Sequence, residues 1–131
     1  MSTRILVAGD HFILPSIFAD AIRAEVNSAI EFREYQSPWP GVPFGAIAEV
    51  TEASGSEDEL IQALEGASVY VANHAPLTRR MLESCPDLRL AVIARGETAE
   101  KAARIAAREV RRFLNGERLE HCLNPRAKLG W

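Results

Sequence analysis

Four short apolar runs divide the chain, and stretches with helical periodicity lie between them. The runs are residues 4–8, 30–35, 68–72 and 88–94. The last two are almost entirely apolar, which is typical of strands that are buried on both faces of a parallel sheet. Residues 30–35 alternate apolar and charged side chains, which is typical of an edge strand with one solvated face. The pattern therefore predicts strands joined by crossover helices.

Capping residues mark the ends of three predicted helices. Pro15 suits the first turn of the first helix, where its missing N–H costs nothing. Ser56 and Glu59 form a capping box for the second helix, and Gly66 stands where a left-handed residue would end it. Thr78 is placed to cap the third helix.

The longest helical pattern covers residues 99–114. Its apolar face consists of Ala99, Ala102, Ala103, Ala106, Val110, Phe113 and Leu114. Its opposite face is basic and consists of Lys101, Arg104, Arg108, Arg111 and Arg112. No aromatic side chains interleave with the basic ones, so we expect a solvated helix surface and not a nucleic-acid interface.

These elements predict a single three-layer α/β domain over residues 1–131. Right-handed crossovers give a flavodoxin-like sandwich with a parallel sheet in the order 2-1-3-4, with residues 117–131 as a fifth strand or a strap across the domain. The proline-rich segment 36–45 is interpreted as a loop, whose Trp39 and Phe44 either pack onto the domain or reach toward a ligand cleft.

The composition argues against several classes of protein, among them nucleic-acid-binding, membrane-spanning and disulfide-rich secreted proteins. The chain has 131 residues and a net charge of −3, which does not favour binding to nucleic acid or to an anionic membrane. No apolar run approaches the roughly 20 residues that span a bilayer, and residues 1–3 leave no room for a signal peptide. Cys85 and Cys122 are too few for a disulfide framework. We expect reduced thiols in a cytoplasmic protein.

The position of a ligand site follows from the sheet. Ligands of parallel α/β sheets bind outside the carboxyl ends of the strands. The third run ends at residues 73–76 (NHAP), and the fourth ends at Arg95 and Gly96. The sequence therefore predicts that these two loops lie at the ligand-binding edge.

The same residues carry a family resemblance. The pattern VYVANHAPLT…MLESCPDLRLAVIARG resembles the N-terminal half of the D-2-hydroxyacid dehydrogenases, the family that includes D-3-phosphoglycerate dehydrogenase. RILVAGD resembles the first strand of that family, and ETAEKAARIAAREVRRFLNGERLEHCLNP resembles its C-terminal segment. The likeness covers nearly the whole chain but only the two outer pieces of the family's sequence, residues 1–96 and 97–131. No GxGxxG occurs in this chain, and the family's cofactor domain should lie between Gly96 and Glu97.

The resemblance implies an isolated substrate-binding domain. It implies substrate contacts at Asn73, His74, Ala75, Arg95 and Gly96. The family's catalytic residues and its NAD site belong to the missing domain, so the resemblance implies no catalytic residue, no cofactor and no metal in this chain, although the parent family is an NAD-dependent oxidoreductase.

The expected partners follow from the same likeness. They are a weakly bound small 2-hydroxy or 2-keto acid and the missing NAD-binding domain, with no nucleic acid and no membrane. We expect a monomer with at most weak self-association, because the family's main dimer contacts belong to the missing domain.

An independent flavodoxin-like binding or signalling module is the alternative. Residues 9–13 lack the hydroxyl- and glycine-rich phosphate loop that a flavin needs after the first strand. The third run ends in Asn73 and not in an aspartate, unlike a phospho-receiver.

Overall fold

The computed structural model describes residues 3–38, 45–48, 50–94 and 97–120. The strands are β1 (Thr3–Gly9), β2 (Ile30–Gln36), β3 (Gly45–Ile47), β4 (Val50–Ala53), β5 (Val69–Ala72) and β6 (Leu90–Ile93). The helices are α1 (Pro15–Glu25), α2 (Glu57–Ala63), α3 (Arg79–Ser84) and α4 (Ala99–Leu114). None of the described helices is long and apolar enough to cross a membrane.

Four strands form one parallel sheet in the order β2-β1-β5-β6. This arrangement confirms the predicted order 2-1-3-4, counting the four apolar runs in sequence. In the register, Ala8 of β1 lies opposite Ala72 of β5, and Ala72 lies opposite Ile93 of β6. The carboxyl ends of the three strands therefore lie along the same edge of the sheet.

Two apolar clusters cover the two faces of the sheet. Ile5 and Val7 of β1 belong to the cluster beneath α1 and α4. Leu6 and Ala8 belong to the cluster beneath α2 and α3. Alternate residues of a strand point to opposite faces, so a strand with helices on both sides must be apolar throughout. The result is the predicted three-layer, flavodoxin-like sandwich.

The predicted helix ends are confirmed at several positions. Ser56 accepts a hydrogen bond from the N–H of Glu59 at the start of α2, and Thr78 caps α3 through the N–H of Met81. Pro15 is the first residue of α1. Gly66 has the predicted positive φ of 73°.

Two sequence-based expectations were wrong. β6 is not buried on both faces, because it is an edge strand and both Ala91 and Ile93 are exposed. Arg111 and Arg112 do not belong to a simply solvated face of α4. Arg111 pairs with Glu25 of α1, and the largely buried Arg112 pairs with Glu109.

The segment between β2 and α2 contains a two-stranded antiparallel sheet of β3 and β4, which the sequence did not predict as a hairpin. Ala48 adopts a positive φ of 52° between these strands. The predicted loop around Trp39 and Phe44 and the greater part of the predicted fifth strand or strap, residues 121–131, lie outside the described residues. Residues 117–120 form no strand.

Candidate functional site

The loop after β1 is built around a buried carboxylate. Asp10 follows the last residue of β1 and is 2% exposed. Its Oδ1 accepts hydrogen bonds from the backbone N–H groups of Phe12 and Ile13, each 2.8 Å long. An aspartate that binds the N–H groups two and three residues ahead reproduces a tight turn with its own side chain. Asp10 therefore fixes the path of the chain from β1 into α1.

Asn73 connects this loop to the neighbouring one. It directly follows β5, and its Nδ2 donates a hydrogen bond to Asp10 Oδ2 over 3.1 Å. The sheet register places the two residues together, because Ala8 and Ala72 are opposite each other immediately before them. The Asn73 side chain therefore holds the β1 and β5 loops together.

Two serines extend this polar edge to β2 and β4. The N–H of Ser37 donates to the Gly9 carbonyl over 2.8 Å, and Ser37 Oγ donates to the Ser54 carbonyl over 3.0 Å. The N–H of Ser54 donates to the His74 carbonyl over 2.9 Å. Among the described residues, the buried Ser54 Oγ has no hydrogen-bond partner. The ends of β1, β2, β4 and β5 are thus joined by one set of polar contacts, which we call the polar rim (Asp10, Ser37, Ser54 and Asn73).

The structure places three of the five predicted site residues on this edge. Asn73 and His74 are half-buried, whereas Ala75 is buried in the cluster beneath α2 and α3. The side chain of Ala75 is therefore part of the core, and only its backbone can serve a ligand. Arg95 and Gly96 lie outside the described residues.

The buried Tyr70 also holds the loop that follows β5. The Tyr70 hydroxyl donates to the Pro76 carbonyl over 2.7 Å. Burial raises the pKa of the Tyr70 phenol well above its ordinary value, because the ionised form would lose its hydration. Thr78, which follows the loop, also donates to Glu57 Oε2 of α2. The loop is thus attached to the sheet and to α2.

Sequence reasoning did not identify Asp10, Ser37 and Ser54 as site residues. The turn-forming role of Asp10 could have been predicted, because an aspartate directly after a buried strand commonly forms a turn with its side chain. The two serines carry no such signal, since their partners lie on loops that only the folded sheet brings together.

The β1 loop does not fit the pyrophosphate of a dinucleotide. Such a ligand needs free backbone N–H groups and a cradle without negative charge at this position. Here the N–H groups of Phe12 and Ile13 are already bound to the Asp10 carboxylate. The same contacts disfavour a flavin phosphate. Among the described residues, no group of three or more His, Cys, Asp or Glu side chains is placed to hold a metal ion.

Comparisons with known protein families, with curated proteins and with solved structures found no match to this chain.

Proposed function

We propose that this chain is the substrate-binding domain of a D-2-hydroxyacid dehydrogenase-like protein, without catalytic activity of its own. The observation that carries the proposal is the hydrogen bond from Asn73 to Asp10. It fixes the loop that resembles the family's substrate loop at the carboxyl edge of a parallel sheet, where ligands of this fold class bind.

The residues on either side of the proposed insertion point support this proposal. The chain reaches the same edge through Ala94, whose N–H donates to the Ala72 carbonyl over 2.7 Å. It leaves through Thr98, which caps α4 by accepting a hydrogen bond from the N–H of Lys101. Chain ends that enter and leave an inserted domain usually lie close together. An insertion between Gly96 and Glu97 would therefore extend from the ligand-binding edge.

The expected ligand is a small carboxylate, a 2-hydroxy or 2-keto acid. Backbone N–H groups of residues 73–75 and the guanidinium of Arg95 would orient its carboxylate, since arginine binds carboxylates through paired hydrogen bonds. The charge of Asp10 is offset by three N–H donors, two from the backbone and one from Asn73. Because the second wall of the cleft would belong to the missing domain, we expect a dissociation constant on the order of millimolar.

Catalysis by the chain alone is not expected. In the parent family NAD supplies the hydride acceptor, and hydride transfer needs an acid–base group within hydrogen-bond reach of the substrate. In the β1 loop the N–H groups of Asp10, Phe12 and Ile13 are already bonded within the loop, and the resemblance assigns no catalytic residue to this chain. The proposed role of its own residues is limited to binding and orienting a carboxylate.

A titration of the ¹⁵N-labelled protein with D-3-phosphoglycerate, and separately with lactate, tests the proposal. We expect shifts at residues 73–75 and at the β1 loop, and their loss in Arg95→Ala. Arg104→Ala is the matched control, because Arg104 is an exposed arginine on α4. Shifts confined to β2, or saturable NADH binding with turnover of 2-keto acids that disappears in Arg95→Ala, would refute the proposal.

A further inference from the structure

The buried carboxylate of Asp10 determines how the side-chain amide of Asn73 is oriented. A carboxylate can only accept hydrogen bonds, whereas a primary amide has a donor end, its NH₂ group, and an acceptor end, its carbonyl oxygen. The Asn73 Nδ2 donates to Asp10 Oδ2 over 3.1 Å. The opposite orientation would place Asn73 Oδ1 against Asp10 Oδ2, where two acceptors would face each other. The hydrogen-bond network therefore fixes Nδ2 on the side of Asp10.

The carboxylate of Asp10 is itself held in place. Its Oδ1 accepts the N–H groups of Phe12 and Ile13, and the residue is buried. These two bonds leave Oδ2 to face Asn73, which directly follows β5. Both partners follow neighbouring strands, so the register of β1 and β5 sets their relative position. The orientation of the Asn73 amide is thus determined by the sheet and by the β1 loop.

The acceptor end of the same amide is open at the ligand-binding edge. Because Nδ2 and Oδ1 diverge from one planar carbon, Oδ1 points away from Asp10. In the described part of the chain no donor is bonded to Asn73 Oδ1, and this oxygen is not among the buried atoms that lack a partner. It is therefore in contact with solvent, on a half-buried residue at the carboxyl end of β5. A ligand that donates a hydrogen bond can pair with this oxygen, whereas one that only accepts cannot.

We propose that Asn73 Oδ1 accepts a hydrogen bond from the 2-hydroxyl group of the ligand, so that the site favours 2-hydroxy acids over the corresponding 2-keto acids. The inference rests on the proposed function and narrows its ligand class. A hydroxyl donates to Oδ1, whereas a keto oxygen is only an acceptor and leaves Oδ1 unpaired. The carboxylate is common to both acids and does not distinguish them. Asp10 is a positioning residue, because it decides which end of the amide the ligand meets.

The substitution Asp10→Asn reverses this arrangement and tests the proposal. The new side chain keeps an oxygen for the N–H groups of Phe12 and Ile13, but an NH₂ group takes the place of Oδ2 and faces Asn73. Two donors then oppose each other, and a half-turn of the Asn73 amide restores the bond and presents Nδ2 to the ligand. We expect the wild type to bind D-lactate roughly threefold to tenfold more tightly than pyruvate. Asp10→Asn should bind pyruvate at least as tightly as D-lactate.

Dissociation constants are measured by ¹⁵N NMR titration with D-lactate, pyruvate and propionate, which carries no oxygen on its second carbon. Asp20→Asn is the matched control and should keep the wild-type preference, because Asp20 is exposed and pairs with the exposed Arg23. Asn73→Ala removes the amide and should bind D-lactate and pyruvate with equal affinity. This second variant tests the proposal even if Asp10→Asn does not fold, and circular dichroism shows which variants are folded.

The outcomes separate this proposal from the proposed function. Equal affinities of the wild type for D-lactate and pyruvate would overturn the proposal for Asn73 alone, since shifts at residues 73–75 would still support a carboxylate site. A preference for D-lactate that persists in folded Asp10→Asn or in Asn73→Ala would also overturn it alone. Absence of shifts at residues 73–75 with all three acids would overturn both proposals.

Discussion

The side-chain amide of Asn73 donates a hydrogen bond to Asp10 Oδ2 over 3.1 Å, although the two residues are 63 positions apart. Each residue directly follows a buried parallel strand, β5 and β1 respectively. The contact joins the two loops at the edge where ligands of such sheets bind. The geometry of the candidate site therefore depends on a carboxylate that is not itself expected to touch a ligand.

Replacing Asp10 should test this dependence. Asp10→Ala removes an acceptor of three hydrogen bonds and leaves the buried Ile13 N–H without a partner. We expect a loss of about 2–3 kcal/mol in the free energy of unfolding, measured by urea denaturation. Asp20→Ala is the control, since Asp20 is exposed and pairs with Arg23, which is also exposed. Equal stability of both variants would contradict the role assigned to Asp10.

The sheet was predictable from the sequence because burial on both faces leaves a strong apolar signal. β1 and β5 read as continuous apolar runs, and each is buried throughout or nearly so. Helix ends were predictable at Ser56 and Thr78 because capping is a local interaction, within three residues of the helix start. The order of the strands followed from the preference for right-handed crossovers.

The polar rim and the exposure of β6 could not be predicted in the same way. Ser37 and Ser54 contact each other through loops that are remote in sequence. β6 is as apolar as β5, and only its place at the end of the sheet exposes Ala91 and Ile93. A one-dimensional pattern shows which residues prefer burial, but it does not show whether a neighbouring strand covers them.

A second prediction concerns the turn between β1 and α1. A Cβ at Gly9 would lie 2.4 Å from the Pro15 nitrogen and 2.5 Å from the Ile13 carbonyl oxygen, and both are backbone atoms. Gly9→Ala should therefore force the loop to move and destabilise the protein by about 1–3 kcal/mol, measured by thermal or urea unfolding.

Gly116 provides the comparison for Gly9. A Cβ there would meet no atom of the described residues within 4 Å, but Gly116 has a φ of 73° at the end of α4. Gly116→Ala should cost only about 1 kcal/mol, from backbone strain alone. A larger loss for Gly116→Ala than for Gly9→Ala would contradict the steric argument.

A third prediction concerns the pH dependence of stability. Burial raises the pKa of the Tyr70 phenol, so the folded protein favours the protonated form. The stabilisation from this group is complete below the unfolded pKa of about 10 and decreases as the pH rises above it. Tyr70→Phe should lose some stability at neutral pH, because it lacks the hydrogen bond to Pro76, and its stability should fall less steeply above pH of about 10.

The difference in the free energy of unfolding between the wild type and Tyr70→Phe removes the contribution of other groups that titrate in the same pH range. This difference should change by up to about 1.4 kcal/mol per pH unit, the value for one proton. Unfolding by urea at a series of alkaline pH values gives this difference directly. Parallel curves for the wild type and Tyr70→Phe would be inconsistent with a buried, protonated phenol.

A fourth prediction concerns the thiol of Cys85. Burial raises its pKa, which lowers the fraction of thiolate at neutral pH. In a Cys122→Ser background, Cys85 should react slowly with a thiol reagent in the native state and rapidly in urea. Fast native labelling at a rate independent of denaturant would show that the thiol is accessible.

A fifth prediction concerns the two buried serines of the polar rim. Replacing Ser37 by alanine should lower the free energy of unfolding, whereas replacing Ser54 by alanine should raise it. Ser37 Oγ donates to the Ser54 carbonyl, so Ser37→Ala leaves a buried acceptor unpaired and should cost about 1 kcal/mol. Ser54 Oγ is buried and has no partner within the part of the chain that the structure describes, whereas its backbone N–H and C=O are both bonded. Ser54→Ala removes an unsatisfied hydroxyl, keeps both backbone bonds, and should stabilise the protein by about 0.5–1 kcal/mol. Urea denaturation of the two variants measures both effects, and a destabilising Ser54→Ala would show that this hydroxyl has a partner at the ligand-binding edge.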